Sequence, residues 1–273
     1  GAAGNNRLGM SGIAWGASLM ALRFIDSSGF GTISDEIECI DYAIAKGAKV
    51  INASFGGSAF SQAAFDAIKR ARDAGIIVVC SAGNAGDNND LVPHYPSSYL
   101  LDNVLSVANS TRSDELSTTS DFGSGLIELA APGTSILTAS AAGNSSYQVL
   151  SGTSFSAPMV TGAIALLKAR FPGESYRATI NRLLRSVDQL PAFAGKTATG
   201  GRLNLGAALR STVTRPFNDD FATRGVLVML PDSAMVLTGK QALDYSGSVS
   251  AEEFSRKRVS TSRRKLESSP HAS

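Results

Sequence analysis

Apolar runs and their spacing divide the first three-quarters of the chain into a regular series of elements. Residues 18–24, with Leu19, Met20, Leu22 and Phe24, form a short apolar run that predicts a buried strand. Residues 34–46 carry Ile37, Ile40, Tyr42 and Ile44 and stop at Gly47, the pattern of a helix with a glycine terminator. A second strand is expected over 49–54. A second helix is expected over 61–74, with Phe65, Ile68 and Ala71 on one face and Gly75 as its stop. Ile76, Ile77, Val78, Val79 and Cys80 then predict a third strand, running into Ser81, Ala82, Gly83 and Asn84. Strand, helix, strand, helix, strand with short connections implies an α/β fold with a parallel sheet flanked by helices.

The pattern breaks over 85–102, which is polar, contains proline and reads as a surface loop. Residues 103–108 and 126–130 restore two strands, and 136–138 with 147–150 suggest a hairpin around Gly143 and Asn144. A helix is expected from Ser154 to about residue 170, another over 176–186, and a closing turn with a short helix over 200–209. After residue 212 the composition turns polar, with one apolar run at 226–230 and basic clusters at 256–258 and 263–265. The chain therefore divides into a folded region, 1–212, and a tail, 213–273, read as a solvated linker or the start of another domain.

Charge narrows the partners. Lys+Arg 25 against Asp+Glu 23 leaves +2 over 273 residues, which favours neither nucleic acid nor an anionic membrane surface as the principal partner. No apolar run approaches the roughly 20 residues of a membrane span. Cys39 and Cys80 are the only cysteines and have no neighbour at metal-ligand spacing, so buried free thiols are expected rather than a disulfide.

Three loops carry the candidate chemistry. One follows the second strand with Ser54, Phe55 and Gly56, one follows the third with Ser81, Ala82, Gly83 and Asn84, and one opens a helix with Gly152, Thr153 and Ser154. In open parallel sheets, ligands bind outside the carboxyl ends of the strands, so the three loops are expected to share one cleft. A serine at a helix start sits beside unpaired N–H groups that can receive an oxyanion, although Thr153 or Ser154 could also be an ordinary cap. Pro158 reads as a first-turn proline. Asn84 offers an amide donor, or else a plain turn residue.

These residues resemble the subtilisin-like serine peptidases, the subtilases. Gly152-Thr153-Ser154-Phe155-Ser156-Ala157-Pro158 is similar to their nucleophile motif, and Ser81-Ala82-Gly83-Asn84 to their oxyanion-asparagine motif. Asn52-Ala53-Ser54-Phe55-Gly56-Gly57 resembles the strand and turn that pair with the substrate backbone. Ala131-Pro132-Gly133 and Gly201-Arg202-Leu203-Asn204 follow in the family's order. An aspartate at Asn84 would instead indicate the serine-carboxyl peptidases. The resemblance implies a three-layer subtilisin-like fold and a secreted or cell-envelope endopeptidase, monomeric when intact, acting on peptide or protein substrates. Ser154 would be the nucleophile, with the Asn84 side chain and the Ser154 N–H as the oxyanion hole. Ser54, Phe55 and Gly56 would bind substrate main chain, and Ser81, Ala82 and Gly83 would form the facing wall. Catalysis would need no cofactor. A structural calcium is implied at the loop holding Asn6 and the carbonyls of Gly4, Leu8 and Met10, where a simple Gly/Asn turn is the other reading.

The family's general-base histidine and orienting aspartate lie on motifs that precede everything matched. The chain is therefore expected to be a catalytic-domain fragment that starts just after the histidine motif and lacks the N-terminal strands. His94 and His271 are its only histidines, and His94 is read as a surface loop residue. By itself the chain should be almost inert, with an exposed apolar edge over 13–24. The alternative is a noncatalytic peptide-binding module on a degenerate subtilase scaffold.

Overall fold

The computed structural model describes residues 1–143 and 145–212, together with the backbone of two short strands in the tail. Helix α1 (Ile33–Ala45) opens at Thr32, whose hydroxyl accepts the Asp35 N–H, and leads through Gly47 to β1 (Val50–Ala53). Helix α2 (Gln62–Asp73) is capped in the same way by Ser61 and leads through Gly75 to β2 (Ile77–Ser81). The chain continues through β3 (Val104–Ser110), β4 (Leu129–Pro132), and the antiparallel pair β5 (Ile136–Ala139) and β6 (Tyr147–Leu150). Helices α3 (Thr153–Arg170) and α4 (Tyr176–Leu184) follow, then β7 (Asp188–Gln189), β8 (Gly201–Arg202) and α5 (Leu205–Arg210).

The main sheet runs β1-β2-β3-β4-β8-β7 and is parallel as far as β8, with β7 antiparallel at the far edge. Strands β2 and β3 are buried along their whole lengths, as central strands of a parallel sheet covered on both faces must be. Alternate residues divide between two layers of helices. Ile77, Val79, Leu105, Val107 and Leu129 pack with Ala157, Val160, Ile164 and Leu167 of α3 and Leu183 of α4. Val78, Cys80 and Val104 pack on the other side with Ile40 of α1 and Ala64, Ile68 and Ala71 of α2. The three-layer α/β arrangement expected from the sequence is therefore present.

Four expectations change. Residues 18–24 form no strand. They lie beside β1 and α1, and Met20, Leu22 and Phe24 line a cavity of about 190 Å³ with Cys39, Ile40 and Val50. No backbone ladder joins them to β1, because each N–H and C=O of a strand needs an aligned partner and none is supplied here. Residues 85–102 are not a surface loop throughout. Asn89, Ser97 and Tyr99 are buried, and Asn89 Nδ2 donates to the Ala82 carbonyl at 2.8 Å. The strand expected from residue 126 begins at Leu129, where its register with β3 starts at Val107, although the Glu128 N–H already donates to the Ser106 carbonyl at 3.1 Å. Cys39 is only partly buried, while Cys80 is fully buried, and both are free thiols.

The Gly201-Arg202-Leu203-Asn204 segment is a structural tie. The Arg202 guanidinium pairs with Asp114 and, at 2.7 Å, with Asp188. Asn204 Nδ2 donates to Asp188 at 2.7 Å, while its Oδ1 caps α5 by accepting the Ala207 N–H at 2.8 Å. These partners, Asn204 first and then Arg202, hold the Asp188 carboxyl below its ordinary value. In the tail, β9 (Val226–Leu230) and β10 (Ser233–Leu237) pair antiparallel, so the apolar run seen in the sequence lies in one strand of a hairpin.

Candidate active site

Helix α3 begins at Gly152, whose φ of +149° favours glycine, and whose N–H donates to the Gly133 carbonyl at 2.9 Å. That bond ties the end of β4 to the start of the helix, which gives Ala131-Pro132-Gly133 its role. Side-chain capping by Thr153 or Ser154 is not used, because both residues lie inside the first turn. Thr153 is instead a buried bridge. Its N–H donates to Asn84 Oδ1 at 2.9 Å, its hydroxyl lies 3.1 Å from the same oxygen, and the Gly83 N–H donates to that hydroxyl at 3.3 Å.

These contacts turn Asn84 in one direction. With Oδ1 held by Thr153, the residue before Ser154, the exposed Asn84 side chain has no hydrogen bond from its Nδ2 group among the described residues. The Asn84 loop is fixed from below by Asp121, which accepts the N–H groups of Ala85 at 2.8 Å and Asp87 at 3.1 Å. Gly83, at φ +118°, leaves no room for a side chain, since a Cβ there would lie 1.9 Å from Asp121 Oδ2. Ser81 and Ala82 are buried beside it, with the Ala82 N–H donated to Val107 and its carbonyl accepting from Asn89. On this wall the main-chain groups of Ala82 and Gly83 are already taken.

The opposite wall is open. Beyond β1, residues Ser54, Phe55 and Gly56 make no backbone–backbone hydrogen bonds among the described residues, leaving an unpaired edge suited to an added extended chain. Ser54 touches the serine directly. Its hydroxyl donates to the Ser154 carbonyl at 2.9 Å, and Ser154 Oγ donates to the Ser54 carbonyl at 3.4 Å. The structure thus brings all three loops together, as the strand order implied.

His94 is not a plain surface residue. Its loop pairs with the Ser54 loop through reciprocal Gly57–Tyr95 backbone bonds of 2.9 and 2.7 Å. The imidazole lies between the two walls: a Cβ at Gly56 would come within 2.3 Å of its Cε1, and one at Gly83 within 3.4 Å of its Cγ. Burial pushes His94 below its ordinary value, against the opposing pull of Asp121. It is hydrogen-bonded to neither Ser154 nor Asn84. Among the described residues no imidazole or carboxylate bonds Ser154 Oγ, and His271 lies outside them.

Asn6 folds back on its own loop, accepting the Leu8 N–H at 3.0 Å between Asn5 and Arg7, both at φ +59°. The loop's oxygens are neutral, and no group of three or more His, Cys, Asp or Glu converges among the described residues. A calcium ion here would need carboxylates from elsewhere. Asp121, and the actual contacts of Thr153 and His94, are not signalled in the sequence because their partners lie far away in the chain. Only the adjacency of Thr153 to Ser154 hinted at a role.

A parallel-sheet α/β fold that sets a serine in the first turn of a helix, beside an anchored carboxamide and an open strand edge, has the architecture of a serine hydrolase. The chain matches the subtilase family over residues 1–204 and belongs to it. It is 36% identical over 207 residues to thermitase of Thermoactinomyces vulgaris, covering 76% of this chain and 70% of that protein. It is 36% identical over 210 residues to subtilisin DY of Bacillus licheniformis, covering 76% and 73%. Against subtilisin-like protease 3 of Plasmodium falciparum (isolate 3D7) the identity is 30% over 231 residues, covering 77% of this chain. The chain spans 30% of that protein's length.

Proposed function

We propose that the protein is a serine endopeptidase of the subtilisin type, with Ser154 as nucleophile. The observation that carries this reading is the geometry of Asn84, whose oxygen is held by Thr153, the residue before Ser154, while its Nδ2 donor has no hydrogen-bond partner among the described residues. Ser154 Oγ, giving its proton to the general base, attacks the scissile carbonyl. The peptide C–N bond breaks, the amine leaves with that proton, and water then hydrolyses the acyl-enzyme to free the acid and restore the serine. The developing oxyanion is received by Asn84 Nδ2 and the unpaired Ser154 N–H at the helix start. The substrate main chain adds to the open edge at Ser54, Phe55 and Gly56, while Ser81, Ala82 and Gly83 line the other side. The general base comes from beyond the described residues, so residues 1–212 alone hydrolyse peptides at a rate close to background.

The intact protein acts outside the cell or at its envelope as a monomer, and 213–273 serves as a linker or the start of a further region. A structural calcium at the Asn6 loop is a lesser part of the same proposal. A calcium-dependent rise in melting temperature, absent in Asn6→Ala, would support it.

The test is covalent labelling of the full-length protein with an alkyl fluorophosphonate. Ser154 is expected to be the modified residue, and Ser154→Ala to lose label and peptidase activity, on the order of a millionfold as in subtilisin itself. A folded full-length protein that takes no label would point instead to a peptide-binding module without catalysis.

A further inference from the structure

Pro158 lies in the second turn of α3, not the first as its neighbours in sequence suggested. Having no N–H, it cannot donate to the carbonyl four residues earlier, which is that of Ser154. The residue proposed as nucleophile therefore sits in a helical turn whose own carbonyl has lost its helical hydrogen bond. A hydroxyl from another element fills that position: Ser54 Oγ donates to the Ser154 carbonyl at 2.9 Å, across 100 residues of sequence.

The amide of Asn52 sets the direction of that bond, with the Thr161 hydroxyl shared between Asn52 Oδ1 and, at 3.1 Å, the Ala157 carbonyl. Asn52 Nδ2 donates to Ser54 Oγ at 2.9 Å, so the single Ser54 proton is left to point at Ser154. Asn52 Oδ1 in turn lies 3.0 Å from the hydroxyl of Thr161, two turns along α3. With the amide reversed, Asn52 would take the Ser54 proton and leave the Ser154 carbonyl without a donor. The chain Thr161, Asn52, Ser54, Ser154 thus leaves the helix, crosses β1, and returns to the helix at the turn that bears Ser154.

We infer that Asn52 and the Ser54 side chain are positioning residues for Ser154, replacing from β1 the helical hydrogen bond that Pro158 removes. Resting on the peptidase reading, the inference adds a second role to Ser54, whose main chain faces substrate. Coupling the first turn of α3 to β1 fixes the serine relative to the strand edge that holds the peptide, so the distance between nucleophile and scissile carbonyl is set by one short relay.

The test uses fluorophosphonate inactivation of the full-length protein, separating the limiting labelling rate from the reagent's apparent binding constant. Ser54→Ala is expected to lower the limiting rate about tenfold, the worth of one hydrogen bond, while the binding constant moves less than about twofold. Ser54→Thr should restore the rate. Asn52→Asp, which keeps shape but accepts the Ser54 proton, should reproduce the loss. In a Pro158→Ala background the helix regains its own N–H donor, and Ser54→Ala should then cost less than about threefold. Circular dichroism on each variant separates slow labelling from failure to fold. If the parent labels and Ser54→Ala labels equally fast, or loses as much in the Pro158→Ala background as with Pro158 in place, the positioning role is wrong. If the folded parent does not label at all, the peptidase reading falls first and the positioning role with it.

Discussion

Two apolar stretches of the chain meet opposite fates. Ile77–Ser81 is buried along its whole length as β2, whereas residues 18–24 form no strand and leave Leu19 78% and Met20 43% exposed. Propensity leans the same way, since β2 is rich in β-branched residues and 18–24 in Leu, Met and Ala, but pairing completes the difference. Strand β2 has β1 and β3 as ladder partners and helices on both faces, while residues 18–24 meet β1 only across a cavity. An apolar run permits burial, but a strand needs a neighbour whose N–H and C=O groups match its own. The contrast extends to the site. The Asn84 side stands on strands with partners on both edges and is fixed by Thr153 and Asp121, while the Ser54 side stands on the outermost strand and keeps its main chain open.

Four measurements would break or sharpen this contrast. The largest effect is expected at the fixed wall: Asn84→Ala should slow labelling of Ser154 in the full-length protein about a hundred- to a thousandfold, the loss seen for one oxyanion donor in subtilisin. A change below tenfold would remove Asn84 from the oxyanion hole. Next, Ile77→Ala should lower unfolding free energy by about 2–5 kcal/mol, measured by denaturant titration, because the cavity it leaves lies between two helical layers.

The third concerns Glu128, just before β4, whose carboxyl is pushed up to about 8 by burial even though the Ser106 N–H donates to it at 2.6 Å. Between its unfolded value near 4.3 and about 8, the native state holds a proton that the unfolded chain has released. Stability should therefore fall as pH rises through this window, and Glu128→Gln should flatten the slope in melts taken from pH 5 to 8. The smallest effect is expected in the open stretch, where Leu19→Ser should change stability by less than about 0.5 kcal/mol. A loss comparable to that of Ile77→Ala would show that residues 18–24 dock in solution as β2 does.

Helix and strand order was legible in the sequence because Gly47 and Gly75 end their helices and the buried strands are short apolar runs. The three loops of the site were legible for a similar reason. Each follows a strand or opens a helix, and parallel topology brings strand ends of one polarity to one side. His94 was not legible: a histidine in a polar, proline-containing loop gives no sign that it lies between Gly56 and Gly83. The burial of Asn89 and Tyr99 was hidden in the same way, since their partners Ala82 and Ser61 belong to other elements. Pro158 was legible as a helix feature but was placed one turn too early, because the helix starts at Thr153 and counts Pro158 as its sixth residue.

The sequence by itself determined the α/β class, the order of the elements and the chemical character of Ser154 and Asn84, all of which depend on residues close together along the chain. The tertiary structure alone decided which runs found a partner, which way the Asn84 amide points and which hydroxyl replaces the bond missing at Pro158. Those outcomes rest on hydrogen bonds spanning 69 and 100 residues of sequence. No local pattern encodes such contacts, because the two ends meet only after the sheet has assembled.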